Sequence, residues 1–305
     1  MQLDEIDTRL VRLLGDDGRM SFEALAQQIG LSRTAVRARL ERLMGSGALR
    51  VVGIVHPTIL GHRAIGHLAI THQGGMLEFA RAVAELDDAP FVSVIAGRHS
   101  VVAELRCADL DAFDATIARI RSIPEIWRVE SAIYTRVHKN LDLPVVEPTR
   151  IELDDADVRI IGELQRDGRI AFVELGKRVS LSASAARARV LRLCDGGLIR
   201  VSGILNPTLL GMNEMCGFDL FLDGDPLATL TTIARMEQIS YLAAAVGRAD
   251  AVGTLIASNT SAIRESLDQI RALPGVREVE SWIHLDLVKE RYESPLKLAN
   301  HRMES

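Results

Sequence analysis

Arginine is the side chain that this sequence concentrates in a pattern suggestive of chemistry. Residues 33–50 carry five arginines and one acid, Glu41, and residues 183–200 carry four arginines and one acid, Asp195. Guanidinium groups donate to phosphate oxygens and, in a fork, to O6 and N7 of guanine. In the first stretch Val36, Leu40 and Leu43 recur at helical spacing and face inward, which turns Thr34, Arg37, Ala38 and Glu41 outward, flanked by Arg33, Arg39 and Arg42. Ala38 and Ala188 would let such a helix approach base edges closely. The candidate DNA-contacting residues are Ser32, Arg33, Thr34, Arg37, Arg39 and Arg42, and in the second stretch Ser182, Ser184, Arg187, Arg189 and Arg192. An isolated arginine-bearing helix face is ordinarily just solvated. What raises this one above that reading is its recurrence in a chain whose formal net charge is -5.

Other chemistries find no support. Cys107, Cys194 and Cys216 show no paired spacing and read as buried small hydrophobes in a reducing compartment. His67 and His72 lie on one expected strand but five residues apart, hence on opposite faces, which does not favour shared metal ligation. No zinc-type Cys/His spacing, glycine-rich phosphate loop or nucleophile elbow occurs, so no catalytic residue, metal or cofactor is expected. The first residues have neither a basic nor an apolar signal region and no apolar run approaches membrane length, so a cytoplasmic, membrane-independent protein is expected. With 48% hydrophobic but only 4% aromatic residues, the core must be aliphatic.

The elements that must position these arginines come in two copies. Shifted by 150, the chain aligns with itself, and 27 of the 59 positions from 3 to 61 are identical in the second copy. Asp17-Gly18-Arg19 meets Asp167-Gly168-Arg169, and Leu31-Ser32 meets Leu181-Ser182. Each copy opens with three short helices. Asp4 caps the first, with Gly18 expected at its C-terminus; Ser21 caps the second, which Gly30 ends; Ser32 caps the third. Two helices around Gly30-Leu31-Ser32 match a helix-turn-helix. A β-rich segment follows, then β-α-β-β-α-β, the ferredoxin-like order. The expected fold class is α+β, two repeats of a winged helix-turn-helix plus a ferredoxin-like domain. The expected domains are 1–50, 51–140, 153–200 and 201–290, with a Pro-containing linker at 141–152 and a tail at 291–305.

The run Leu3-Asp4, Asp7, Leu14, Asp17-Gly18-Arg19, Leu25-Ala26, Gly30-Leu31-Ser32, Val36, Arg39, Leu43, Gly47 resembles the Lrp/AsnC family of bacterial and archaeal transcription regulators. The resemblance covers both copies. It implies binding of double-stranded DNA through the helix-turn-helix, an amino-acid-like small-molecule effector bound by a RAM (ACT-like) domain, and a family dimer fused into one chain as a pseudo-dimer, with further homo-oligomerisation. A sheet of this kind has edges needing cover, which points the same way. The family tends to carry a Gly-x-x-Asp turn near its effector site. Here the turns are Gly97-Arg98-His99-Ser100, which lacks the carboxylate, and Gly247-Arg248-Ala249-Asp250, so the resemblance implies Gly97, Ser100, Gly247 and Asp250 as effector residues and two unlike pockets. Two alternatives are a metabolite sensor without DNA binding and a fused enzyme similar to siroheme decarboxylases, which share the two-domain unit. For the latter, Phe91 to Leu105 offers only His99 and Phe91 toward a tetrapyrrole.

Overall fold

A computed structural model of the protein describes residues 3–140, 149, 151–205 and 214–290. They fall in two compact units, and each unit is assembled from both copies.

The first unit holds the two helix-turn-helix domains: α1 (Glu5–Asp16), α2 (Phe22–Ile29), α3 (Arg33–Gly45) and β1 (Leu49–Val55), with their counterparts α6 (Asp155–Arg166), α7 (Phe172–Val179), α8 (Ala183–Asp195) and β6 (Ile199–Leu205). Local chemistry sets the helix starts. Asp4 accepts from the Asp7 amide at 2.7 Å and Asp7 accepts in return from Asp4, a capping box that Asp154 and Asp157 repeat. Ser21, Ser32 and Ser182 cap α2, α3 and α8 through their hydroxyls. Gly30 ends α2 in the left-handed region at φ 79°, whereas its counterpart Ser180 takes φ 60° with a side chain to accommodate.

Gly18 has a different task from the one expected. The C-cap of α1 is Asp17. Gly18 instead lies against the other copy's strand: its amide donates to the Val201 carbonyl at 2.9 Å, and an added Cβ would meet backbone atoms of Val201 and Ser202 at 2.9 Å. Gly168 mirrors it on Val51 at 2.8 Å. The β-rich segment likewise does not form a wing on its own domain. β1 pairs antiparallel with β6, from Leu49↔Leu205 to Val55↔Ile199, so the ribbon is shared between copies. The Arg19 guanidinium donates to the carbonyls of Gly168 and Ile170 and lies 4.3 Å from the Phe172 ring. Arg169 returns the contact to Gly18, Met20 and Phe22.

The second unit contains β2 (Ala64–His72), α4 (Met76–Ala84), β3 (Phe91–Ala96), β4 (Val101–Cys107), α5 (Leu110–Arg121) and β5 (Ile126–Asn140), then β7 (Glu214–Leu222), α9 (Pro226–Ala234), β8 (Ile239–Gly247), β9 (Ala251–Ala257), α10 (Thr260–Arg271) and β10 (Val276–Glu290). Both halves have the β-α-β-β-α-β order. Their sheets join into a closed barrel in the order β10-β3-β4-β2-β5-β8-β9-β7. This corrects the expectation of open edges: β5 pairs with β8 and β10 with β3, so the other copy covers each edge. Both closing pairs carry two register shifts, which supply the curvature closure requires. Alternate strand residues face the helices, where Leu68, Ile70, Phe79, Phe113 and Ile120 pack in one half and Phe218, Leu220, Ile263 and Ile270 in the other. The remaining set faces the barrel interior, around Ala69, Ile95, Val102, Ala132, Ala245, Val252 and Trp282.

Replacing Gly18 with Ala should destabilise the protein by about 2 kcal/mol, because the added methyl would meet the Val51 side chain at 2.8 Å and the Val201–Ser202 backbone at 2.9 Å. Gly15→Ala, in α1 with nothing within 4 Å of its would-be Cβ, should stabilise by roughly 0.5–1 kcal/mol. Urea unfolding of both variants, followed by helical circular dichroism, tests this contrast.

Candidate functional site

Among the described residues, two places carry chemistry beyond packing. The first is the exposed face of α3 and α8. Val36, Leu40 and Leu43 are buried, while Arg33, Thr34, Arg37, Ala38 and Glu41 are exposed. On α8, Ser184, Arg187, Ala188 and Leu191 occupy the matching exposed positions. Ser32 and Ser182 sit at the N-caps with their hydroxyls engaged by helix amides.

Arg39 and Arg42 have a task that the expectation did not include. Asp7 in α1 is 1% exposed, and its two oxygens accept from Arg39 at 2.9 Å and from Arg42; Arg39 also reaches Asp4. Arg189 and Arg192 hold Asp157 and Asp154 in the same way. These four arginines tie each recognition helix to the first helix of its domain. A buried carboxylate needs such partners, since removing them would leave an uncompensated charge. Their aliphatic stems and remaining N–H groups stay partly exposed. The copies differ in what surrounds the outward arginine. Arg37 donates to Glu41 at 2.8 Å, whereas Leu191 stands in place of Glu41 beside Arg187, and Arg187 has no partner among the described residues.

The second place is the barrel interior, where a chain of polar groups runs from β7 to β3. Arg248 Nη2 donates to Asp219 Oδ1 at 2.8 Å and lies 2.9 Å from His67 Nδ1. The His67 ring is 5.6 Å from that of Trp282, whose Nε1 donates to His284 Nε2 at 3.3 Å; His284 Nδ1 is 2.9 Å from Ser93 Oγ. Burial holds His67 well below the ordinary imidazole range and His284 down at about 4, so both rings are neutral near pH 7. Burial pushes the Asp219 carboxyl up to about 7 against the opposing pull of Arg248. The equivalent positions in the other half are Arg98, Ala69, Gly217, Ala132, Tyr134 and Ala243. That half carries instead a buried Arg106–Glu104 pair at 2.7 Å and the packed rings of Tyr134 and Tyr241.

The two turns expected near an effector serve as strand connections with similar internal bonding. Asp250 Oδ2 accepts from the Leu222 amide at 2.7 Å, and Ser100 Oγ accepts from the equivalent His72 amide at 3.2 Å. Gly247, at φ 126°, lies against the Ser131 carbonyl, and Gly97 lies against Trp282. His99, in the β3–β4 turn beside Thr71 and Glu130, and Phe91, at the start of β3 beside His284, lie apart and do not form one aromatic cluster.

The AsnC-type helix-turn-helix domain matches residues 3–44 and 153–193, and the Lrp/AsnC ligand binding domain matches residues 66–143. The HTH-type transcriptional regulator FL11 of Pyrococcus abyssi is 30% identical over 150 residues, which is 48% of this chain and 99% of that relative. The HTH-type transcriptional regulator Rv2324 of Mycobacterium tuberculosis is 30% identical over 142 residues, 46% of this chain and 96% of its own. The chain belongs to the Lrp/AsnC family. It is a DNA-binding transcription regulator with a ligand-binding half, and each of these relatives corresponds to one of its two copies. The siroheme decarboxylase NirDL, solved with an iron-uroporphyrin III analogue, covers 96% of both chains with a TM-score of 0.68; at 15% identity this likeness concerns the fold alone.

The interior network of this family member was invisible to local motif reading because its members come from β2, β3, β7, β10 and the β8–β9 turn. A usable signal was nevertheless present in the alignment of the two copies. His67 pairs across the sheet with Ala132, and Gly217 pairs with Trp282. At these equivalent positions the bulk is exchanged, and a Cβ on Gly217 would collide with the Trp282 ring.

Asp7→Asn should cost about 3 kcal/mol, since it leaves Arg39 and Arg42 without their buried partner; equilibrium denaturation measures this. For His284 the folded state disfavours the proton. Its contribution is therefore complete above pH 6.5 and is lost as the pH falls toward about 4, up to about 3 kcal/mol. Stability measured from pH 7 to 4 should fall less steeply in His284→Gln than in the wild type. Parallel curves would refute that assignment.

Proposed function

We propose that the chain docks on duplex DNA as a single-chain pseudo-dimer, with Arg33, Thr34 and Arg37 reading one half-site and Ser184, Arg187 and Leu191 the other. Ser32 and Ser182 position the helices, and Arg39, Arg42, Arg189 and Arg192 brace them while adding positive charge near the phosphates. An amino-acid-like effector taken up by the second unit modulates this binding. The carrying observation is the pair of exposed, capped helices whose outward arginines are free of buried carboxylates. The half-sites should lie about one helical turn, or a multiple of it, apart. Glu41 opposite Leu191 makes the operator imperfectly symmetric: an acid near Arg37 repels phosphate and can accept from cytosine, while leucine can only touch a thymine methyl.

Titration of the protein against its own upstream DNA at two salt concentrations should show affinity falling steeply with salt. Arg37→Met with Arg187→Met should weaken specific binding by more than about tenfold, and Glu41→Gln should tighten it by about threefold. Salt-insensitive binding of equal strength to any sequence would refute the reading. The enzyme alternative is favoured only by whole-chain architecture. Added siroheme should neither shift its absorption spectrum nor lose carboxylates in the presence of the protein, and either change would reverse the order of the two readings.

A further inference from the structure

Arg248 holds the most unusual polar group in the barrel. Its side chain is 9% exposed. Nη2 is fully used by Asp219 and His67, yet Nε and Nη1 are buried without any acceptor. A guanidinium cannot give up its proton to escape this situation, so three N–H bonds point into the interior unsatisfied. Trp282 lies 5.7 Å from the guanidinium and offers its ring face, which satisfies charge but not hydrogen bonds.

Comparison with the equivalent arginine sharpens the anomaly. Arg98 occupies the same place in the first β-turn but lies at the surface, 56% exposed, with Glu280 at 3.3 Å and Glu130 at 3.9 Å. By the offset of 150, Glu130 is the residue that an outward Arg248 would meet, as Arg98 meets Glu280. Arg248 turns inward instead, where Asp219 replaces Ala69, and Gly217 and Trp282 replace His67 and Ala132. Several residues of the second half have thus changed together around one buried cation.

We infer that Arg248 is the anchor of a binding site for one small carboxylate per chain, lying in the barrel interior between β2, β7 and β10. A carboxylate oxygen can accept from Nε or Nη1, which find no acceptor, and its second oxygen can share Nη2, which now donates to Asp219 and His67. Burial, which raises the Asp219 carboxyl to about 7, lets it take up a proton as an anion enters, so the site can balance one added negative charge and favours a monoanion over a phosphate. The neutral His67 ring beside Nη2 and the ring of Trp282 border the guanidinium and would face the rest of the ligand. The site differs from the two hairpin turns, which are alike in bonding and would bind two ligands per chain. The inference rests on reading the second unit as the sensory half, but its test needs no DNA and can fail while regulation stands.

Trp282 provides the readout, because Trp127→Phe removes the other of the chain's 2 tryptophans. In that background, acetate and L-alanine are titrated at constant ionic strength with chloride as the reference and inorganic phosphate as a competing anion class; calorimetry gives the stoichiometry. The expected result is a saturable change in Trp282 emission with the carboxylates, at one equivalent per chain. Arg248→Lys, which keeps the charge but loses the fork, should weaken binding by about tenfold or more. Asp219→Asn should tighten it severalfold by releasing Nη2 to the added anion. This gain separates the site from general loss of structure. A lack of saturable response, two equivalents per chain, a preference for phosphate, or undiminished binding in Arg248→Lys would each overturn the inference. Loss of DNA binding by the same preparation would instead count against the regulatory reading.

Discussion

A β-strand with an open edge exposes a row of unsatisfied backbone donors and acceptors, and in both units of this protein the other copy fills that row. The β1–β6 ribbon, the β5–β8 pair and the β3–β10 pair all join residues far apart in sequence. Each copy therefore leaves its own sheet incomplete, and completion is mutual. In the first unit the same mutual logic extends to side chains: Arg19 and Arg169 bind carbonyls of the opposite copy at the turn that Gly18 or Gly168 presses against the opposite strand. Those contacts fix the two helix-turn-helix domains against each other, which an isolated three-helix domain could not achieve.

Much of this was legible in the sequence where the signal is local. The capping residues Asp4, Ser21 and Ser32, the buried stripe of Val36, Leu40 and Leu43, and the strand order all follow from spacing and cap chemistry. What was not legible depends on the partner copy or on long range. Gly18 looked like a helix terminator because glycine often is one, but its constraint is the Val201–Ser202 backbone, about 180 residues away. The bracing of Asp7 by Arg39 and Arg42 could not be read either, because Asp7 reads as a first-turn acid until the fold brings α1 across α3. The closed barrel was missed for the same reason: a ferredoxin-like order fixes the pairing within each half, but says nothing of which strand covers the last edge.

The two units have diverged to different degrees. In the first, both copies keep the buried aspartate, the bracing arginines and the reciprocal arginine contact, since each of these supports a shared interface. Exposed positions such as Glu41 and Leu191 differ, and buried ones differ mostly by apolar exchange, as between Val36 and Ala186 or Leu40 and Val190. In the second, change in the core extends to charged and aromatic groups. Bulk moves from position 67 to position 282 across a cross-strand pair, so the interior volume is filled with different chemistry: a histidine–tryptophan–arginine chain on one side, a tyrosine pair with Glu104–Arg106 on the other. Close packing forces such substitutions to occur in compensating pairs, which is why Gly217 accompanies Trp282.

Fusion is what makes this interior possible. In a homodimer every substitution appears twice across the symmetry axis, so a His67–Ala132 pair on one side could not coexist with a Gly217–Trp282 pair on the other. A buried Arg248–Asp219 pair would likewise recur, whereas here the equivalent positions hold the exposed Arg98 and the apolar Ala69. Covalent linkage removes that constraint, because each position can be altered alone. Symmetry is retained where both copies face the same task, at the ribbon and the bracing ion pairs, and is broken at the barrel, where the buried cations Arg106 and Arg248 occupy inequivalent positions, each with its own carboxylate.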